Sequence, residues 1–139
     1  MIDKKNTVET AKPVKILVVD DDSFTCQYFK QLLTPNGFQV EIDNTGFGLA
    51  RLSQEGYRPD MILLDLVLGP LSGVELSRHL KTNPFTRTIP LVAMSASGSQ
   101  LSDHPGLMAD AYLTKPFEVQ ELLTLVDQFV SIDAYSFAN

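Results

Sequence analysis

Ile16-Leu17-Val18-Val19-Asp20-Asp21-Asp22 sets a short apolar run directly before three carboxylates. The pattern recurs three times with a different polar residue at its end. Met61-Ile62-Leu63-Leu64 stops at Asp65, Leu91-Val92-Ala93-Met94 stops at Ser95, and Ala111-Tyr112-Leu113-Thr114 stops at Lys115. Apolar runs of this length, bounded by turn signals, mark strands buried on both faces of a parallel sheet. Such a sheet delivers the last residue of every strand to one edge, where ligands bind. Carboxylates, a hydroxyl and an amine, far apart in sequence, are therefore expected in one crevice.

The intervening stretches read outward from these strands. Residues 1–13 form a polar tail that closes at Pro13, and the first strand runs from about Lys15 to Asp20. A helical pattern follows, with Phe24, Phe29, Leu32 and Leu33 on one face, and Pro35-Asn36-Gly37 ends it. Phe38 to Asp43 alternates apolar and polar residues, which places a strand with one wetter face at a sheet edge. A second helix is expected from about Gly46 to Gln54, anchored by Leu49 and Leu52 and weakened by Gly48. After Asp65 comes a Gly69-Pro70 turn. Ser72 and Glu75 then make a capping-box pair for a helix over Gly73 to Lys81, broken by Asn83-Pro84. Residues 97–110 are rich in turn formers, so any fourth helix there is short or irregular. Val119, Leu122, Leu123, Val126 and Val130 then recur at helical spacing, and residues 132–139 form a second tail. Strand and helix alternate along residues 14–131, which implies one doubly wound α/β domain.

Bulk properties narrow the function. A chain of 139 residues buries roughly two-thirds of its unfolded surface. Its net charge of −6 opposes non-specific binding to nucleic acid or to an anionic membrane. No stretch approaches the ~20 apolar residues of a membrane span, and the N-terminus lacks the apolar core of a signal peptide. Cys26 has no second cysteine to pair with, so a reducing, cytoplasmic setting is expected.

The chemistry follows from the polar residues themselves. Two like charges ~4 Å apart at an effective dielectric near 20 repel by about 4 kcal/mol. A crevice holding Asp20, Asp21 and Asp65 must protonate one carboxylate or bind a cation. Oxygen ligands with several waters suit Mg²⁺ better than Ca²⁺. A bound cation attracts a phosphoryl group, and a carboxylate can act as nucleophile toward it. Lys115 supplies a mobile positive charge for phosphate oxygens, and Ser95 a hydroxyl donor. Asp22-Ser23 reads as a solvent-facing helix cap and Cys26 as a small packing residue. His79 and His104 read as surface residues, with no second ligand near either in sequence.

These residues and their order resemble the receiver domain of two-component response regulators, the CheY-like family. The resemblance covers about Lys15 to Val130. It rests on Ile-Leu-Val-Val-Asp-Asp-Asp-Ser, Pro59-Asp60-Met61-Ile62-Leu63-Leu64-Asp65, Met94-Ser95-Ala96 and Tyr112-Leu113-Thr114-Lys115-Pro116-Phe117, with Ser72-Gly73 following Asp65 at the family's spacing. It implies a five-stranded sheet of order 2-1-3-4-5. It makes Asp65 the phosphoacceptor, Asp21 a direct Mg²⁺ ligand, Asp20 a ligand mainly through water, and the Val67 carbonyl a further ligand. Ser95 and Lys115 would grip the phosphoryl oxygens, and Tyr112 would turn inward when Ser95 moves. The Lys115–Pro116 bond would be cis, which an X–Pro bond tolerates.

Three departures from the family pattern stand out. Leu68-Gly69-Pro70 replaces a usual Met-Pro, Met108-Ala109-Asp110 replaces Gly-Ala-Asp, and the span from Ser95 to Lys115 is short. The implied function is a switch that takes phosphate from a histidine kinase or phosphotransfer protein and acts on a downstream target protein. It would catalyse only its own phosphorylation and dephosphorylation. The chain ends soon after its last helix, so output through protein contact, without an attached DNA-binding domain, is expected; self-association is left open. A phosphate-independent interaction module would require a broken constellation, and no position is broken. A phosphatase of the haloacid dehalogenase type would need a late acidic pair that the residues after Lys115 do not offer. Val67 and Ser97 would flank the path of attacking water, and an apolar Val67 predicts slow self-dephosphorylation.

Overall fold

The apolar runs form the expected strands. The computed structural model describes residues 13–53, 57–96 and 104–131. Its main sheet contains β1 (Val14–Val19), β2 (Phe38–Asp43), β3 (Met61–Asp65), β6 (Leu91–Ala96) and β7 (Ala111–Lys115), in the order β2-β1-β3-β6-β7 and parallel throughout. Counting only these strands, the order is the expected 2-1-3-4-5. A small antiparallel pair, β4 (Val67–Leu68) and β5 (Leu71–Ser72), stands where only a turn was expected.

Alternate residues of each central strand serve opposite layers, because successive side chains leave a strand on opposite faces. Ile16, Val18, Met61, Leu63, Val92, Met94 and Leu113 pack against Cys26, Phe29 and Leu33 of α1 (Ser23–Leu33). Leu122, Val126 and Val130 of the last helical segment join the same cluster. Leu17, Val19, Ile62, Leu64 and Leu91 face the other way, onto Leu49, Leu52, Leu68, Leu80 and Ile89. Burial on both faces is why β1, β3 and β6 lack the polar alternation of β2, which lies at the edge as expected. β7, also expected to be buried on both faces, forms the other edge, and within it only Leu113 is buried.

Caps set the helix boundaries. Asp22 opens α1 by accepting the Phe24 N–H at 3.2 Å and the Thr25 hydroxyl at 2.6 Å. Ser72 Oγ accepts the Glu75 N–H at 3.2 Å to open α2 (Gly73–Thr82). The expected second helix is instead a 3₁₀ segment, Phe47–Ser53, and its expected last residue lies outside the described region. Gly46 and Gly48 weaken its start, and the Asp43 carboxylate fills the space beside Gly48, where a Cβ would meet Oδ2 at 2.7 Å. The last helix, α3 (Val119–Val126), continues as a π-helical turn through Ser131 that keeps Val130 inside. Val119, expected on the buried stripe, is 38% exposed at the first residue of α3, while Leu122 and Val126 are buried.

Residues 104–110 carry no helix, and His104-Pro105-Gly106 makes a turn. Met108 stands where the family pattern has glycine, and Asp110 fixes the entry to β7 by hydrogen bonds. Its carboxylate accepts the Leu91 N–H at 2.8 Å and the Lys81 ammonium at 2.7 Å, while its N–H reaches the Leu91 carbonyl at 2.8 Å. Residues 97–103, which include Ser97, and both expected tails apart from Pro13 fall outside the described residues.

Candidate functional site

The strand ends meet as the sheet topology requires. Asp20 directly follows β1 and extends its pairing with β2, donating its N–H to the Asp43 carbonyl at 3.2 Å. Its carboxylate is fully buried, and Oδ1 accepts the Asp22 N–H at 2.9 Å. Asp65 ends β3 in register with Met94, so Ser95 lies one residue beyond it on the neighbouring strand. Ser95 is buried and in register with Thr114, beside Lys115 at the end of β7. The Lys115–Pro116 peptide is cis.

Lys115 joins the two buried carboxylates. Its Nζ lies 2.7 Å from Asp20 Oδ2 and 3.3 Å from Asp65 Oδ2. Asp20, Asp21 and Asp65 each offer a carboxylate oxygen within 4.8 Å of the others. Burial pushes the Asp65 carboxyl above its ordinary range, and the Asp20 charge adds to this against the pull of Lys115. Burial acts to lower the Lys115 ammonium, but its hydrogen bond to Asp20 and the charges of Asp65 and Asp20 outweigh that and raise it.

The hairpin after Asp65 controls the main chain beside the crevice. Gly73 donates its N–H to the Leu66 carbonyl at 3.0 Å, Val67 pairs with Ser72, and Leu68 pairs with Leu71. Gly69, at φ +62°, and Pro70 connect the strands, as in a type II′ loop with Gly at its first central position. Hydrogen-bonded and non-bonded pairs alternate along an antiparallel ladder. The bonded Leu66–Gly73 pair therefore leaves Val67 in a non-bonded pair, with both its backbone groups turned away from Ser72. The Val67 N–H meets Asp65 Oδ1 at 3.3 Å, and its carbonyl is left out of the ladder for an outside partner.

Comparison with known proteins agrees with this geometry. The family model for the response regulator receiver domain matches residues 16–127. The chain belongs to the response regulator receiver family. The phosphate regulon transcriptional regulatory protein PhoB of Escherichia coli strain K12 is 37% identical over 115 residues, covering 81% of this chain and 49% of PhoB. The chain thus spans about half the length of the curated relatives it matches. Among solved structures, the receiver domain of a signal transduction histidine kinase from Syntrophus aciditrophicus is 28% identical with a TM-score of 0.75, over 84% of this chain and 89% of that one. The receiver domain of a sensor histidine kinase from Pseudomonas aeruginosa PAO1, described with a magnesium ion in its active-site cleft, is 26% identical with a TM-score of 0.76, over 86% and 99%.

The donor set of this receiver domain fits a hard divalent cation. Three clustered carboxylates face a single ammonium, which leaves two negative charges that such an ion would neutralise. Asp20, Asp65, Ser95 and Lys115 stand together as expected, and Val67 and Asp21 border them. Tyr112 lies on β7 in register with Ala93 and is 40% exposed. His79 and His104 are outside the acidic cluster. Two residues beside the receiver site were not anticipated in this role. Asn44 Nδ2 donates to the Asp20 carbonyl at 3.1 Å, and the Cys26 thiol donates to the same oxygen at 3.2 Å. Burial, with the Asp20 and Asp22 charges, pushes the Cys26 thiol up to about 11, so it stays protonated as a donor. The only sequence signal for Asn44 is its place at the end of β2, beside β1.

Proposed function

We propose that this receiver domain accepts a phosphoryl group on Asp65 with Mg²⁺ present, from a histidine kinase or phosphotransfer protein, and signals to a downstream target. The bridging of Asp20 and Asp65 by the Lys115 ammonium inside the carboxylate cluster carries this reading. In the proposed transfer an Asp65 oxygen attacks phosphorus, the P–N bond to the donor imidazole breaks, and an aspartyl phosphate forms. Asp20, Asp21, Asp65 and the Val67 carbonyl would hold the cation. When bound, it supplies positive charge to the carboxylates and to the oxygens of the transferring group. Lys115 shifts its hydrogen bond from the attacked carboxylate to a phosphoryl oxygen, and Ser95 donates its hydroxyl to another. That movement draws Tyr112 inward and changes the surface around β7.

The unit that performs this is taken as residues 14–131, acting in the cytoplasm and catalysing only its own phosphorylation and dephosphorylation. Absence of nucleic-acid binding rests on the net charge of −6 and is part of the proposal.

Intact-mass measurement after incubation with acetyl phosphate tests the reading. One added phosphoryl group, dependent on Mg²⁺ and absent in Asp65→Asn, is the expected result. Equal labelling of native and Asp65→Asn protein would overturn it.

A further inference from the structure

The hairpin beside Asp65 rests on a seat in the layer that also holds Leu49 and Leu80. Leu68 is 2% exposed and belongs to the cluster of Leu17, Val19 and Leu64. Its far end lies against Gly46. A Cβ added at Gly46 would stand 3.1 Å from Leu71 Cδ1, 3.2 Å from Leu68 Cδ1 and 3.3 Å from Leu76 Cδ1. Gly46 has φ +87° and is itself fastened to the end of β2. Asp43 Oδ1 accepts its N–H at 3.1 Å and that of Thr45 at 3.0 Å. On its other side the hairpin borders the crevice, with the Val67 N–H on Asp65 Oδ1 and the Gly69 turn leaning toward Asp21. A Cβ at Gly69 would lie 3.9 Å from Asp21 Oδ2.

We propose that Leu68, seated on Gly46, is a positioning residue for the cation site: it sets where the Val67 main chain and the Gly69 turn stand relative to Asp65 and Asp21. This rests on the reading of those carboxylates as the cation site. A close-packed interior transmits a change of volume to its neighbours. Truncating Leu68 therefore frees the hairpin to settle toward the sheet and carries the Val67 carbonyl away from the carboxylates. A hairpin that only covered the core would lose stability on truncation and nothing else. Outer groups that orient metal ligands typically matter by 10- to 100-fold in affinity, which sets the scale of the effect.

Isothermal titration of the full chain with Mg²⁺, well below the unfolding temperature of every variant, separates the two cases. Leu68→Ala is expected to bind about tenfold more weakly. Leu68→Val, a milder truncation that keeps the fold in reserve, should lose a smaller factor, and Leu68→Met should recover most of the affinity by restoring volume. Leu52→Ala provides the control, since Leu52 is 4% exposed in the same cluster, whereas the side-chain atoms nearest a Cβ at Gly46 belong to Leu71, Leu68 and Leu76. It should melt earlier and keep native affinity. The Val67 amide resonance should shift in Leu68→Ala and stay in place in Leu52→Ala. Native affinity in both Leu68→Ala and Leu68→Val, or an equal loss in Leu52→Ala, overturns the proposal alone. A native chain with no Mg²⁺ affinity overturns the reading of the site, and the proposal with it.

Discussion

Lys115 is the counter-charge that lets Asp20 be fully buried, with 2.7 Å between ammonium and carboxylate. Breaking a buried pair by removing one partner costs roughly 3–5 kcal/mol, because the other charge is left in a poor solvent. Lys115→Met is therefore expected to lower the cation-free thermal midpoint strongly, and saturating Mg²⁺ should restore part of it; calorimetry with and without the ion checks this. Asp65 behaves in the opposite sense. Its folded carboxyl titrates above the ordinary range, so its charged form opposes folding. That cost is absent below the unfolded carboxyl's pKa near 3.9 and fully present once pH exceeds the raised folded value. Asp65→Asn should raise the cation-free midpoint at neutral pH by about 2–5 °C, and the gain should vanish in acid. At Val67, 67% exposed beside the crevice, a polar side chain could orient water that valine cannot. Val67→Asn or Val67→Lys should change the phosphoryl half-life severalfold, followed by loss of the mass label over time. Asp20, Asp65, Ser95 and Lys115 were legible because each ends an apolar strand, and a parallel sheet gathers such ends. Asn44 was not, because its bond to the Asp20 carbonyl depends on two strand ends lying side by side, which no local pattern encodes.

Elements long enough to show a period were recognised in kind from sequence, and those too short for one were not. Phe24, expected on the apolar face of α1, is nonetheless 87% exposed, and Cys26 lies buried on that helix instead. The central strands and the buried stripe of α3 declare themselves through runs and 3.6-residue spacing. Two-residue strands such as β4 and β5 have no period, so the hairpin surfaced only as a Gly-Pro turn. The 3₁₀ segment Phe47–Ser53 carries Leu49 and Leu52 at a spacing that serves a 3₁₀ turn as readily as an α-helix. Close approach between elements was equally invisible. Gly73 lets α2 start directly against the Asp65 backbone, where a Cβ would lie 2.4 Å from Leu66 Cα and 2.6 Å from the Asp65 carbonyl oxygen. Backbone cannot yield as a side-chain tip can. Gly73→Ala should therefore cost about 2–3 kcal/mol, at the upper end of overpacking effects, and displace the Asp65 main chain. Chemical denaturation together with the Asp65 amide shift measures both.

At the scale of the whole molecule, the sheet brings ends separated by 95 residues, Asp20 and Lys115, into one hydrogen-bonded group. Any ion that binds only the folded site must stabilise the entire domain by linkage, about 2.7 kcal/mol at a hundredfold excess over its dissociation constant. Mg²⁺ should thus raise the thermal midpoint of the native chain, and Asp21→Asn should blunt the rise. In the proposed function the ends of β1, β3, β6 and β7 act as one phosphoryl-responsive site. Two-dimensional amide NMR of the native chain with beryllofluoride, a phosphoryl mimic, tests it most directly. Shifts that require Mg²⁺, appear together at Asp20, Asp65, Val67, Ser95, Tyr112 and Lys115, and vanish in Asp65→Asn are the result expected. Spectra unchanged by beryllofluoride and Mg²⁺, or shifts confined to one strand end, would contradict it.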